Sequence, residues 1–120
     1  MNKRTVTLYP SAARTATPDA IILNSGRSAA VYMVVEVTAA PSSPSVVFTI
    51  DLWDSASGTA VNLLTSAAVA SVSSNIYKIS PALTESSSLV STEHVPENIR
   101  IKATHGNTDS ITYSVSVHLI

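Results

Sequence analysis

Residues 98–104 read NIRIKAT, residues 105–109 HGNTD, and residues 110–120 SITYSVSVHLI; this stretch decides the fold class. In the first segment Ile99, Ile101 and Ala103 alternate with Arg100, Lys102 and Thr104. In the last, Ile111, Tyr113, Val115, Val117 and Leu119 alternate with Thr112, Ser114, Ser116 and His118. A side-chain period of two marks strands with one buried face and one that is wet or covered by a partner. With the polar turn between them, the two strands are expected to pair as a β-hairpin.

Working back along the chain, the same period recurs. Residues 5–9 (TVTLY) set Val6 and Leu8 against Thr5, Thr7 and Tyr9, and Pro10 is expected to stop that strand. Residues 11–19 are small and polar, which suits an arm lying across a surface. Residues 20–23 (AIIL) form a short apolar run closed by the turn signal Asn24-Ser25-Gly26. Residues 30–38 are apolar on both faces, so a strand covered on both sides is expected there. Residues 46–54 point Val46, Phe48, Ile50 and Leu52 one way, and Val47, Thr49, Asp51 and Trp53 the other. A turn at 55–58, with Gly58 free to take positive φ, returns the chain through residues 60–65 as a hairpin. Residues 66–74 read as strand or helical turn, with Ala67, Val69 and Val72 inward. Residues 75–80 form a strand broken by Pro81, and residues 81–97 form a long aperiodic loop of the kind that is functional or docked. About eight strands and no helix make an all-β, single-domain antiparallel β-sandwich, jelly-roll-like or immunoglobulin-like, over residues 1–120.

Bulk composition bounds the function. The chain has 120 residues, enough for a two-layer core without staples, and no cysteine, which removes thiol nucleophiles and zinc–thiolate sites. Charged residues are only 12% and the net charge is −1, while Ser and Thr supply roughly a quarter, so weak repulsion favours assembly into a homo-oligomer. The seven basic residues are scattered, which argues against nucleic acid. The longest apolar stretch, 29–35, is far short of a membrane-spanning helix. Lys3 and Arg4 mimic the start of a leader, but the residues after them lack its apolar run, so none is expected.

The parts of an active site are missing from the sequence. No serine sits in G-x-S-x-G, and no G-x-x-x-x-G-K loop or H-E-x-x-H pair occurs. His118 reads as a strand residue, His105 as a turn residue, and Asp54 as a turn former. Asp51 with Asp54, and His94 with Glu93 and Glu97, match no known metal spacing. No enzyme activity, cofactor or metal is expected. Trp53 points away from Phe48, Ile50 and Leu52, and an outward Trp stacks on a sugar or fills a partner's pocket. Tyr9, Arg14, Trp53, Tyr77, His94 and His118 are the candidate partner contacts.

Several segments carry a resemblance. LYPSAARTATPDA (residues 8–20), TIDLWDSASGTAVNLLTSAA (49–68), NIYKISPALTES (75–86) and ATHGNTDSITYSVSVHLI (103–120) resemble a group of small tailed-bacteriophage proteins over nearly the whole chain. The resemblance implies a virion structural protein, assembled in the bacterial host cytoplasm, that decorates or cements the capsid exterior. Its partners would be the major capsid protein or another virion protein and copies of itself, a trimer being one option. Residues 10–19 and 81–97 would then order on docking, and removing residues 1–17 is expected to leave a folded domain. A neck or tail component and a carbohydrate-binding β-sandwich are the alternatives.

Overall fold

In the computed structural model, which describes residues 3–120, the chain forms nine strands and no helix among the described residues. They are β1 (Arg4–Arg14), β2 (Ile21–Asn24), β3 (Val31–Ala39), β4 (Val46–Asp54), β5 (Thr59–Thr65), β6 (Ser73–Ile79), β7 (Val90–Ser91), β8 (Asn98–His105) and β9 (Ile111–Leu119). One sheet has the order β1-β9-β3-β6-β7 and the other β2-β8-β4-β5. Leaving out the two-residue β7, the antiparallel pairs nest: β1 with β9, β2 with β8, β3 with β6, and β4 with β5. A chain folded double and then wrapped into two sheets in this way is a jelly roll, one of the two sandwich topologies that alternation alone leaves open.

That wrapping overturns the expected hairpin at 98–119. β8 lies between β2 and β4, while β9 lies between β1 and β3 in the opposite sheet. The turn at 106–110 therefore crosses from one layer to the other. Period-two alternation states which face of a strand is buried, and says nothing about its lateral neighbour. Ile99, Ile101 and Ala103 belong to the same buried core as Ile111, Tyr113, Val115 and Val117, contributed from opposite layers. The crossing turn is pinned to the 40–45 loop: Gly106 N donates to Ser45 O at 2.7 Å, and Asn107 Nδ2 to Ser43 O at 2.9 Å.

The core alternates as the sequence requires. Val31, Met33, Val35 and Val37 of β3 and Val46, Phe48 and Ile50 of β4 are buried, and Phe48 meets Tyr113 edge to face with ring centroids 5.4 Å apart. Such aromatic pairs add about 0.5–1.5 kcal/mol beyond their buried area. The other face of β3 is only half covered at Tyr32 and Val34 and is exposed at Glu36, so β3 is central in its sheet but buried on one side.

Three further expectations are corrected. Pro10 does not stop β1, which continues to Arg14 beside β9 with register shifts between Thr7 and Tyr9 and between Tyr9 and Ala12. β1 is an edge strand, where a missing N–H is tolerated and bulges absorb the irregularity. Removing residues 1–17 would thus strip a sheet strand that carries Leu8 and Tyr9 into the core. Residues 66–69 are extended, because Val69 bridges to Val46 and Ser66 N donates to Phe48 O at 2.8 Å. Val69 is inward as expected, whereas Ala67 and Val72 are exposed. The 81–97 loop contains a tight turn closed by Leu89 N donating to Ser86 O at 3.1 Å, with Ser88 at φ +64°.

Candidate functional site

Three regions bring together side chains with chemistry, and the first is an internal clamp. Arg14, at the end of β1, donates through Nη1 to Tyr113 O at 2.7 Å, and its guanidinium lies 4.6 Å from the Tyr113 ring centroid and 5.7 Å from that of Tyr9. Tyr9 OH donates to Asp19 O at 2.7 Å, and His105 N donates to Thr17 Oγ1 at 2.9 Å. The segment after β1 is thereby tied to its own domain. His105 Nε2 shares a 2.9 Å hydrogen bond with Tyr113 OH. Burial pushes the Tyr113 phenol up to about 12, with Arg14 opposing, and burial together with the Arg14 charge lowers His105. Tyr113 is fully buried, so this pair faces the core instead of a substrate.

The second region is the outer face of the four-stranded sheet. Asp51, only 4% exposed, accepts from Arg100 Nε at 3.1 Å and Nη2 at 2.9 Å through Oδ2, and from Asn62 Nδ2 at 3.0 Å through Oδ1. Register places Asp51 opposite Arg100 on β8 and Asn62 on β5, so the network laces three neighbouring strands. Half-buried Trp53 follows on the same face, with the Arg100 guanidinium 6.0 Å from its ring centroid. Asp54 belongs to the turn: it accepts from Ala56 N and Ser57 Oγ, and chiefly the Ser57 hydrogen bond holds its carboxyl below the usual range.

The third is the outer face of the five-stranded sheet, which register resolves into three rows. Thr5, His118, Tyr32 and Lys78 form one row across β1, β9, β3 and β6. Thr7, Ser116, Val34 and Ile76 form the next, and Ser114, Glu36 and Ser74 the third. Ile76 is 48% exposed. His118 Nδ1 and Thr5 Oγ1 are 3.1 Å apart. Beyond the edge of this sheet, an open groove of about 440 Å³ runs between residues 67–75 and the 87–89 turn. Its lining is mostly Ala and Ser and holds no titratable group except buried Tyr77.

The six candidate contacts do not converge. Tyr9 and Tyr77 are buried and belong to the core, which corrects their assignment to a contact surface. For Tyr9 the cause is the bulge after Thr7, which turns inward a residue that simple alternation places with Thr5 and Thr7. Tyr77 lies on the inner face of β6 opposite Met33. Arg14 is committed to the clamp, Trp53 lies on one outer face, His118 on the other, and His94 is exposed in the 81–97 loop. Among the described residues no three His, Cys, Asp or Glu side chains gather as a metal site. Tyr32, read from the sequence as a candidate neighbour of Trp53, lies in the other sheet, and the residues sequence reasoning passed over are Val34, Ile76, Lys78 and Glu36. Their signal was present as the outward half of two alternating strands, but cross-strand register was needed to assemble it. No protein-family model matches this chain, and no curated protein matches it in sequence.

Proposed function

We propose that this chain is a non-enzymatic structural protein of a tailed-phage virion that decorates or cements the capsid exterior, in contact with the major capsid protein and with copies of itself. The phage assignment rests on the resemblance of the segments at 8–20, 49–68, 75–86 and 103–120. The observation that carries the mechanism is the five-stranded outer face, with hydroxyls and an apolar pair in cross-strand rows between β1 and β6. A rigid body with such a face makes many modest contacts at once, and tethering at one raises the effective concentration at the next. Three of the seven basic residues are engaged within the chain, Arg14 and Arg100 in internal pairs and Lys78 against Tyr32, which favours a protein partner over nucleic acid.

Binding of the purified protein to purified capsids tests the reading. Saturation at a multiple of the capsomer number supports decoration, a single ring's worth of copies supports a neck or tail component, and no binding refutes both. A carbohydrate-binding module is favoured by one observation, the half-buried Trp53 beside Arg100 and Asp51. Glycan-array binding abolished by Trp53→Ala in a folded protein would establish that reading instead.

A further inference from the structure

The three rows on the five-stranded sheet differ in charge. The first holds the cationic Lys78 with Tyr32 and His118, the middle row is uncharged with Val34 and Ile76 side by side, and the third holds the anionic Glu36. Tyr32 and Glu36 are four residues apart on β3, about 13 Å along the strand. Both charged groups lean into the furrow between β3 and β6. Lys78 Nζ reaches back over β3 to within 5.2 Å of the Tyr32 ring centroid. Glu36 leans the other way and accepts a 2.7 Å hydrogen bond from Ser74 Oγ on β6.

We infer that this face pairs with the same face of a second copy about a two-fold axis that crosses β3 and β6 at the Val34–Ile76 row. The axis runs perpendicular to the strands within the interface plane. That operation exchanges the first row with the third and returns the middle row to itself. Each Lys78 ammonium meets the partner's Glu36 carboxylate, twice by symmetry, while Val34 and Ile76 pack on their own counterparts. Two sheets stacked face to face in this way lie about 10 Å apart, a spacing that side chains of this size fill. The hydroxyls of Thr7, Ser114 and Ser116 border the apolar centre, the arrangement of a polar rim around a small dry core. Among ways of stacking this face on itself, the two-fold is the one that places opposite charges on each other at both ends. The inference deepens the assembly reading and rests on it only in taking the face as a contact surface. Its test uses isolated protein, so its failure leaves capsid binding to be judged separately.

Sedimentation equilibrium over a concentration series, with circular dichroism confirming that each variant is folded, decides the matter. The wild type is expected to form dimers. Glu36→Lys and Lys78→Glu each replace two attractions by two repulsions and are expected to weaken dimerisation roughly ten- to a hundred-fold. The double variant Glu36→Lys/Lys78→Glu restores opposite charges and is expected to recover most of the loss. Ile76→Asp is expected to abolish the dimer. A wild type that stays monomeric at about 1 mM overturns the inference and leaves the face to a different partner. A double variant no tighter than the single ones overturns the pairing.

Discussion

The network on the four-stranded sheet makes a sharp demand on stability. Asp51 lies under its partners with a side chain only 5% exposed, whereas Arg100 keeps 26% of its side chain in water. Removing one member therefore has unequal consequences. Arg100→Met leaves a buried carboxylate whose remaining side-chain partner among the described residues is Asn62, and breaking a buried pair in this way costs about 3–5 kcal/mol. Asp51→Ala leaves a guanidinium that can turn outward and hydrate, while Asn62 Nδ2 keeps Leu64 O at 3.3 Å. The expected cost there is about 1–3 kcal/mol, that of a lost charge-assisted bond with partial rescue by water. Equilibrium unfolding in urea, followed by circular dichroism because Trp53 stands beside the mutated pair, measures both variants and the double variant Asp51→Ala/Arg100→Met. The double variant is expected to be more stable than Arg100→Met alone, since it removes the stranded charge, with a coupling energy of about 1.5–3 kcal/mol. Equal costs for the two single variants with coupling near zero would refute the reasoning. The network would then be a surface ion pair of little consequence.

Other expectations follow from particular residues. Ser88 sits at φ +64° in the turn Ser86–Leu89, a position suited to glycine. Ser88→Gly is expected to stabilise by about 0.5–1 kcal/mol, the left-handed strain relieved less the added chain entropy, and Ser88→Val to destabilise; thermal melts check both. The Tyr113 phenol, raised to about 12, stays protonated in the native state at pH values where the unfolded chain, near 10, ionises. Its contribution is fully present below pH 10 and is lost as pH rises towards 12, so denaturant midpoints should fall across that window, and less so in Tyr113→Phe. His105 is lowered below 6.5, so the unfolded chain binds the proton more readily and stability declines as pH falls below that value. His105→Gln is expected to flatten that part of the profile. Deletion of residues 1–17 is expected to unfold the protein by removing β1 with Leu8 and Tyr9, and a truncated chain with a native circular dichroism spectrum and a cooperative melt would contradict the sheet order.

Much of this architecture was legible because alternation is a local property. β4, β8 and β9 were each read with their buried faces correct, and the Gly26 and Gly58 turns take the positive φ that their sequences suggest. β3 and β6 were read as strands, but β3 is covered on one face only and Tyr77 of β6 points into the core. What alternation does not encode is pairing. β8 and β9 look like a hairpin because a polar turn joins two amphipathic strands, yet each has both lateral edges occupied by strands distant in sequence. Register slips are equally silent: one bulge moves Tyr9 from the wet face to the core. The outward Trp53 and His118 were legible from parity. The charge rows of Lys78, Tyr32 and Glu36 were not, because they exist only once β3 and β6 lie side by side.

The proposed place of this protein, on the outside of a phage head with its sheet faces against neighbours, is tested most directly by electron microscopy of the parent particle carrying a labelled copy of the chain. The account expects label distributed over the capsid exterior at its local symmetry axes. Label confined to the neck or tail, or absent from the particle, would contradict it.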